Sequence, residues 1–327
     1  MENHASLKTA PIYLDAAVPL VQPDPRTIGL QVENLKKGAV NAVCATVASI
    51  ENARETVARL GRWYSYLRSA DCPFTLTTTV QEVRAAVRAG RIALLLHFQG
   101  TEPLEDDLNL LDLYHVLGVR IIQLTYNARC RVGDGCTETH DGGLSDFGRQ
   151  AIERMGELGM VIDLAHVGVR TSLEAIEQAR GPVIVSHANA RALCDNPRNL
   201  TDEQIRAVAA TGGVIGACAF PAFVSRKPDP SLEDLLNHVD YLRDLVGVKH
   251  IGFGADYADE TEEDYEYYGY DPRVYPRPPW VYPQGLQGFA DMPNLAVGLR
   301  RRGYSEQETA GILGENFLRV FEQVWRE

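Results

Sequence analysis

Residues 160–189 constrain the fold more than any other stretch of this sequence. Two short apolar runs rich in β-branched residues, 160–166 and 182–188, deliver His166 and His187, and the segment between them has one apolar helical face. This order predicts strand, helix, strand. Because a crossover helix joins parallel strands, both strand ends should emerge at the same edge of the sheet. We therefore expect the two imidazoles to be neighbours where α/β proteins place their chemistry.

The alternation of strand-like and helix-like segments continues along most of the chain. The predicted strands have few polar residues, which is typical of strands covered on both faces. Eight β/α alternations favour a single-domain (β/α)8 TIM-type barrel over residues 1–327. A doubly wound sheet is the alternative, but no Gly-rich phosphate loop follows any strand. The predicted strands are 11–18, 40–47, 92–98, 120–127, 160–166, 182–188, 213–220 and 250–256.

Helix signals complete this outline. Ser145 and Thr201 stand where they can cap the helices that follow them. Between the second and third barrel strands the sequence predicts only two helices, at 50–70 and 79–89. The chain is predicted to close with a helix at 306–325.

Charge and cysteine usage narrow the class of protein. The formal net charge is -12 with no Lys/Arg cluster, which argues against a nucleic-acid or anionic-membrane partner. No apolar run approaches the roughly 20 residues of a membrane span, and residues 1–10 lack the pattern of an export signal. The six cysteines lack zinc-type spacing and suit a reducing compartment. We expect a cytoplasmic protein, neither exported nor anchored.

A segment at about 257–291 interrupts the regular pattern. Residues 259–271 alternate tyrosines with carboxylates, and several prolines follow. This composition predicts no regular element. Because the segment follows the last strand, in a barrel it should hang over the mouth, where a lid, a dimer contact and a solvated loop all remain open.

The predicted strand ends carry a set of residues rich in metal ligands and proton carriers. A single histidine at a strand end is usually structural, but two on adjacent strands facing carboxylates predict a divalent ion such as zinc. Such an ion would lower the pKa of bound water and polarise a carbonyl, while a carboxylate takes the proton. Arg198 could clamp a substrate carboxylate, or could cap a helix or form a salt bridge. The strand-end set is Asp15, Gln99, Tyr126, Asn127, His166, His187 and Asp256.

At these residues the chain resembles the renal or membrane dipeptidase family of metallopeptidases. The matching stretches are 143–148, 163–167, 186–189, 198–202, 252–257 and 316–321. The resemblance covers nearly the whole chain and implies a (β/α)8 barrel, usually a homodimer, that cleaves dipeptides with two zinc ions. It also implies that His166 and His187 bind the second zinc, that Arg198 holds the substrate carboxylate, and that Asp256 carries the proton.

The chain departs from the family pattern at the first zinc. Asp15 and Ala17 stand in place of the family's His-x-Asp pair on the first strand. Gln99 replaces the bridging glutamate, and Tyr126 replaces a histidine after the fourth strand. A neutral amide between two dications cannot offset their repulsion as a carboxylate does. We therefore expect one ion, zinc or another divalent metal, rather than two. His166 and His187 would hold it, and Asp15 or Gln99 would complete the shell.

The leading interpretation is a metal-dependent, dipeptidase-like hydrolase of an amide bond in a small amino-acid-derived substrate. Asp256 would be the general base, and Tyr126 would donate to the oxyanion. Arg198, Tyr126 and Asn127 would bind the substrate, and a homodimer is expected from the resemblance. Two alternatives stay open: a hydrolysis-deficient barrel that binds a small ligand or a partner, and a metal enzyme with different chemistry on a metabolite.

Overall fold

Eight parallel strands form a nearly closed barrel in the computed structural model, which describes residues 11–325. The absence of an export signal was predicted for residues 1–10, which lie outside the described residues. Neighbouring strands follow the order β1-β2-β4-β5-β6-β7-β8-β9, with the short β3 beside β4. The last and first strands meet where the Asp256 amide donates to the Ala17 carbonyl, 3.1 Å away. The predicted (β/α)8 TIM-type fold is therefore confirmed.

The strands are short, and helices cover them from outside. The strands are β1 Leu14–Val18, β2 Ala42–Ala48, β3 Phe74–Leu76, β4 Ile92–Phe98, β5 Val119–Gln123, β6 Val161–Asp163, β7 Ile184–Val185, β8 Val214–Ala217 and β9 Ile251–Phe253. Every residue of β2 and β4 is buried, as expected of parallel strands covered on both faces.

The helices begin largely where the sequence signals place them. They are α1 Ile28–Lys37, α2 Ala53–Leu67, α3 Val80–Arg88, α4 Asn109–Val116, α5 Asp146–Leu158, α6 Val169–Gln178, α7 Asp202–Ala210, α8 Pro221–Val224, α9 Leu232–Val246, α10 Glu262–Tyr267, α11 Met292–Arg301, α12 Glu306–Ala310 and α13 Asn316–Val324. Short 3-10 turns lie at Glu102–Leu104, Val248–His250 and Phe289–Asp291. The predicted caps are confirmed, because Ser145 accepts from the Gly148 amide and Thr201 from the Gln204 amide.

Three sequence-based predictions were wrong in detail. Between α2 and α3 the chain adds the strand β3, whose three residues are too few to give a periodic signal. The predicted helix at 306–325 is interrupted by a π-type turn around Gly314, where a side chain would come within 3.0 Å of the Ile12 carbonyl oxygen. The segment predicted to lack regular elements contains α10, which Thr261 caps in a reciprocal pair with Asp264.

Residues 257–291, which we call the cover segment, lie over the barrel mouth. Tyr265, Tyr270 and Tyr275 of this segment are 2%, 8% and 3% exposed and pack with Phe220 and Phe223 of the barrel. The segment is therefore not a loop surrounded by water. No helix in residues 11–325 is both long enough and apolar enough to span a bilayer.

Candidate active site

The two histidines predicted to be neighbours lie side by side at the barrel mouth. His166 follows β6 and His187 follows β7, and their Nε2 atoms are 2.9 Å apart. Both side chains are buried, with 3% and 0% exposure. Burial, together with the positive charge of Arg198, holds the pKa of each imidazole well below its ordinary value. Both rings are therefore neutral, which is the form that binds metals.

Hydrogen bonds on the far side of each ring fix where its proton sits. Asn127 Oδ1 lies 2.8 Å from His166 Nδ1, and a carbonyl oxygen can only accept. Ser186 Oγ donates to Asp163 Oδ2, so it accepts from His187 Nδ1 at 2.7 Å. Each neutral ring thus carries its proton on Nδ1, and the two Nε2 lone pairs face each other. That arrangement calls for a cation between them.

The carboxylate of Asp163, which is fully hydrogen-bonded, holds the histidine pair in place. Asp163 receives four hydrogen bonds, from the amides of Ala165 and Ser186, from the Ser186 hydroxyl and from His97 Nε2. Burial alone would raise the pKa of Asp163, but the hydrogen bonds and the nearby histidines lower it overall. Asp163 therefore stays ionised and holds the His187 ring in one orientation through Ser186.

Three of the predicted site residues have left-handed backbone conformations. Asn127, His166 and Asp256 have φ values of 61°, 62° and 56°. Residues other than glycine rarely adopt such angles, and strain of this kind gathers at functional sites. The turns after these strands aim the side chains into the mouth rather than along the strands.

Two carboxyl groups belong to the neighbouring strands β1 and β9. Asp256 follows the end of β9, but Asp15 is the second residue of β1, so its predicted place at a strand end was wrong. Asp256 Oδ2 is 3.9 Å from His187 Nε2, and burial raises the pKa of Asp256 to about 6. Asp15 Oδ1 accepts from the amides of Ala17 and Ala255, whereas its buried Oδ2 has no partner within the described residues. Burial, with a smaller contribution from Asp256, raises the pKa of Asp15 to about 7. Near neutral pH each group can therefore take up or release a proton.

Arg198 is a buried cation without an acidic partner. It is 2% exposed, and no carboxylate in residues 11–325 forms a salt bridge with it, although Asp256 attracts it from farther away. Its Nε donates to the Tyr275 hydroxyl at 3.0 Å, and its Nη2 donates to the His187 carbonyl at 3.3 Å. Its guanidinium also lies 5.0 Å above the centre of the Phe223 ring. A guanidinium removed from water this completely is costly, so the site is suited to an anion.

Of the remaining predicted residues, Tyr126 and Asn127 contact His166, whereas Gln99 contacts the strand β2. Tyr126 stacks on His166 at 4.6 Å, and its hydroxyl bonds to that of Tyr270. Asn127 orients His166 and leaves its buried Nδ2 without a partner in the described chain. Gln99 donates its amide to Thr46 at 3.0 Å, away from the histidines.

Sequence reasoning missed several residues of the site. Tyr270, Tyr275 and Glu260 belong to the cover segment and reach the mouth from above. Asp163 and Ser186 lie within motifs noticed in the sequence, but their roles depend on strand register. The tyrosine-rich composition was the one available signal, and it did not indicate which rings turn inward.

The space left beside the histidine pair is small. A cavity of about 30 Å³ lies between the barrel and the cover segment. That volume holds roughly two water molecules. It is lined by residues of both parts, among them Gln99, Tyr126, His166, Asp256, Glu260 and Tyr275.

Comparison with known proteins identifies the family. The family model described as membrane dipeptidase (peptidase family M19) matches residues 7–268 and 279–326. The chain belongs to the membrane dipeptidase family. The gap between the two matched ranges, 269–278, lies within the cover segment and includes Tyr270 and Tyr275.

Named relatives agree with membership in the membrane dipeptidase family. Dipeptidase 3 of Rattus norvegicus is 30% identical over 240 residues, covering 72% of this chain and 45% of that protein. Dipeptidase aclJ of Aspergillus oryzae is 30% identical over 239 residues, covering 72% and 52%. The chain thus spans about half the length of the curated relatives it matches.

Solved structures agree with the barrel. An amidohydrolase from Pseudomonas aeruginosa is 31% identical and superposes with a TM-score of 0.89 over 97% of each chain. A metallo peptidase from Rhodobacter sphaeroides, solved with a phosphinate mimic of the dipeptide L-Ala-D-Ala, is 21% identical. It has a TM-score of 0.82 over 96% of this chain and 99% of that one, and supports the fold.

The membrane dipeptidase family implies a divalent metal, and this chain fits one only in part. The paired Nε2 lone pairs suit an ion, which needs about 2.0–2.1 Å to each nitrogen and so a slightly wider gap between the rings. Within residues 11–325, however, no three His, Cys, Asp or Glu side chains are arranged to hold a metal ion. Asp15 and Gln99 do not form such a group with the histidines in this structure, and their role as ligands stays a prediction. The described residues therefore supply two nitrogen ligands for an ion but no complete set of ligands.

Proposed function

We propose that this protein is a metal-dependent, dipeptidase-like hydrolase that uses a single divalent ion. Its substrate would be a small amino-acid derivative with an amide bond and a free carboxylate. The observation that carries the proposal is the pair of Nε2 lone pairs, 2.9 Å apart, beside a buried guanidinium without an acidic partner. The first suits a cation and the second an anion, and a dipeptide bound at a metal presents both a carbonyl oxygen and a carboxylate.

His166 and His187 would hold the ion, with Asp15 or Gln99 supplying a further oxygen after a small movement. When bound, the ion would lower the pKa of a water molecule and polarise the substrate carbonyl. Hydrogen bonds from Nδ1 of His166 to Asn127 and from Nδ1 of His187 to Ser186 already fix both rings in the orientation that an ion requires.

The side chains around the ion would divide the remaining work. Arg198 would bind the substrate carboxylate and so place the amide near the histidines. Asp256, whose pKa is raised to about 6, is mostly ionised at neutral pH and would accept a proton from the attacking water. Tyr126, with Asn127 Nδ2 nearby, would donate to the oxygen that gains negative charge. Asp256 would then pass that proton to the departing amine, which leaves a carboxylate and an amine as products and returns Asp256 to its ionised form.

Metal analysis combined with one variant tests this proposal. Purified protein should contain about one divalent ion per chain, and His166→Ala should lose the ion and at least about a thousandfold in turnover of a dipeptide panel. His140→Ala changes a histidine that stands away from the site and serves as the control. Activity that survives both chelation and His166→Ala would rule the proposal out.

One observation favours a second candidate, a barrel that binds a small ligand without hydrolysing it. Asp15, Ala17 and Gln99 stand where the family resemblance places ligands of the first ion, and no three-ligand group is assembled within residues 11–325. Metal content far below one ion per chain, with no turnover across dipeptides of either chirality, would support this candidate. Turnover of any such substrate at ordinary enzyme rates would eliminate it.

Three finer points belong to the same proposal. Zinc is proposed as the ion because imidazole and carboxylate are its common ligands in catalytic sites. A cytoplasmic location is proposed because all six cysteines are free. A homodimer without a nucleic-acid or membrane partner is proposed from the family resemblance and the net charge of -12. Metal analysis, cell fractionation and sedimentation test these points separately.

A further inference from the structure

One tyrosine of the cover segment reaches the centre of the site. The Tyr275 hydroxyl accepts from Arg198 Nε at 3.0 Å, donates to Asn127 Oδ1 at 2.9 Å and lies 3.4 Å from His166 Nδ1. Its ring packs on Phe220 and Phe223 and stacks on Tyr270. Tyr275 therefore contacts both the predicted carboxylate anchor and the residue that orients the histidine pair.

The hydroxyl occupies a position that an anion would fill better. Arg198 is buried without a salt-bridged carboxylate in the described part of the chain, and a neutral phenol oxygen accepts one of its five N–H groups. A carboxylate could accept two at once and would bring the compensating charge. Tyr275 and a substrate carboxylate would thus compete for the same face of the guanidinium.

The size of the cavity means that the cover segment must move before a substrate enters. About 30 Å³ is far less than a dipeptide needs. A larger space of about 610 Å³ lies directly outside and shares six lining residues with the inner cavity: Pro19, Val21, Ala258, Glu260, Tyr268 and Trp280. Four of the six belong to the cover segment, which thus forms most of the wall between the two spaces.

We propose that Tyr275 determines substrate specificity by closing the empty site, and that a free carboxylate on the substrate opens it. This inference rests on the proposed function only for the role of Arg198 as carboxylate anchor. When the carboxylate binds Arg198, the hydroxyl leaves, the cover segment releases and the outer space joins the inner cavity. A ligand of the same shape without the carboxylate cannot displace the hydroxyl and is rejected.

The wall of the cavity also supplies a reporter. Trp280 lies in the cover segment, packs 4.7 Å from Phe220 and donates its ring N–H to the Pro276 carbonyl. The other two tryptophans, Trp63 and Trp325, lie on α2 and after α13. A change in tryptophan emission that Trp280→Phe removes would therefore report movement of the cover segment.

Binding of two matched probes to the full chain tests the proposal without any need for turnover. N-acetyl-alanine carries the free carboxylate, and N-acetyl-alanine amide is nearly identical in shape but neutral. Calorimetry should detect the acid alone, with a change in Trp280 emission. Tyr275→Phe should bind the acid about tenfold more tightly, because the closed state loses a hydrogen bond to a charged group. Tyr241→Phe, which removes a phenol bonded to Asp202 away from the site, should leave binding unchanged.

The outcomes separate this inference from the proposed function. In one outcome, Tyr275→Phe binds the acid equally or more weakly while the protein still hydrolyses dipeptides. That result would overturn the competition between the Tyr275 hydroxyl and the substrate carboxylate, and would leave the proposed hydrolase function intact. Tighter binding by the variant in a protein without metal or turnover supports the competition and overturns the hydrolase. If neither probe binds the wild type or the variant, Arg198 is not a carboxylate anchor and the inference fails.

Discussion

The two sides of the barrel mouth differ in how completely their polar groups are partnered. On the side of β6 and β7, Asp163 receives four hydrogen bonds and both histidines are fixed in one orientation. On the side of β1 and β4, Asp15 keeps a buried oxygen without a partner among residues 11–325, and Gln99 is bonded to Thr46. Preorganisation is thus complete where the proposed single ion would bind, and incomplete on the side where the family resemblance places the first of two ions.

The largest expected effect comes from breaking the ordered side. Asp163→Asn places an amide NH2 or a weaker acceptor against the donors of Ser186 and His97. We expect a loss of about 2–4 kcal/mol in the free energy of unfolding, and a loss of metal binding as His187 is released. Urea unfolding and metal analysis measure both. Asp112→Asn, which affects a surface pair with Arg154, should cost less than about 1 kcal/mol. If Asp163→Asn and Asp112→Asn lowered the free energy of unfolding equally, the side of β6 and β7 would not depend on the hydrogen bonds of Asp163.

A smaller effect is expected from rebuilding the other side. Ala17→Asp combined with Gln99→Glu returns two carboxylates to positions where the family resemblance places metal ligands. The metal content should then rise from about one to about two ions per chain, since carboxylates offset the repulsion between dications. The variant should be less stable than the wild type once a chelator removes the ions, because the new charges are buried. Unchanged stoichiometry would mean that this side is not half of a metal centre.

The smallest expected effect concerns the rim above the histidines, where Tyr126 bonds to Tyr270 and Tyr270 to Glu260. Burial raises the pKa of Glu260 to about 8 from its ordinary 4.5. The folded state therefore binds more protons than the unfolded state between these values, and stability should fall as the pH rises through that window. Thermal unfolding between pH 5 and 9 should show a shift of a few degrees that Glu260→Gln removes. Glu262→Gln, a control at an exposed position, should leave the pH dependence of thermal unfolding unchanged.

Local patterns were enough to predict the ordered side. The apolar runs before His166 and His187, with a helix between them, specify a parallel pair, and the parallel pair specifies adjacent ends. The barrel followed from the same signal repeated along the chain. Helix caps at Ser145 and Thr201 were predictable because they depend on neighbours three residues away.

The cover segment could not be predicted in this way. Tyr275 meets Arg198 across 77 positions and Asn127 across 148 positions of sequence. No periodicity encodes such contacts, because they depend on how an irregular path folds back over the mouth. The same holds for Gln99, whose position at a strand end was predicted correctly but whose amide turns to Thr46.

The left-handed turns at Asn127, His166 and Asp256 carry a consequence for evolution and engineering. Glycine adopts such angles without steric penalty, so His166→Gly would relieve backbone strain at the same step that removes a proposed ligand. Selection for heat resistance alone would therefore pull these positions toward inert residues. We therefore expect the residues now at these positions to lower stability in exchange for activity. A thermostable but inactive mutant of this barrel should be easy to find.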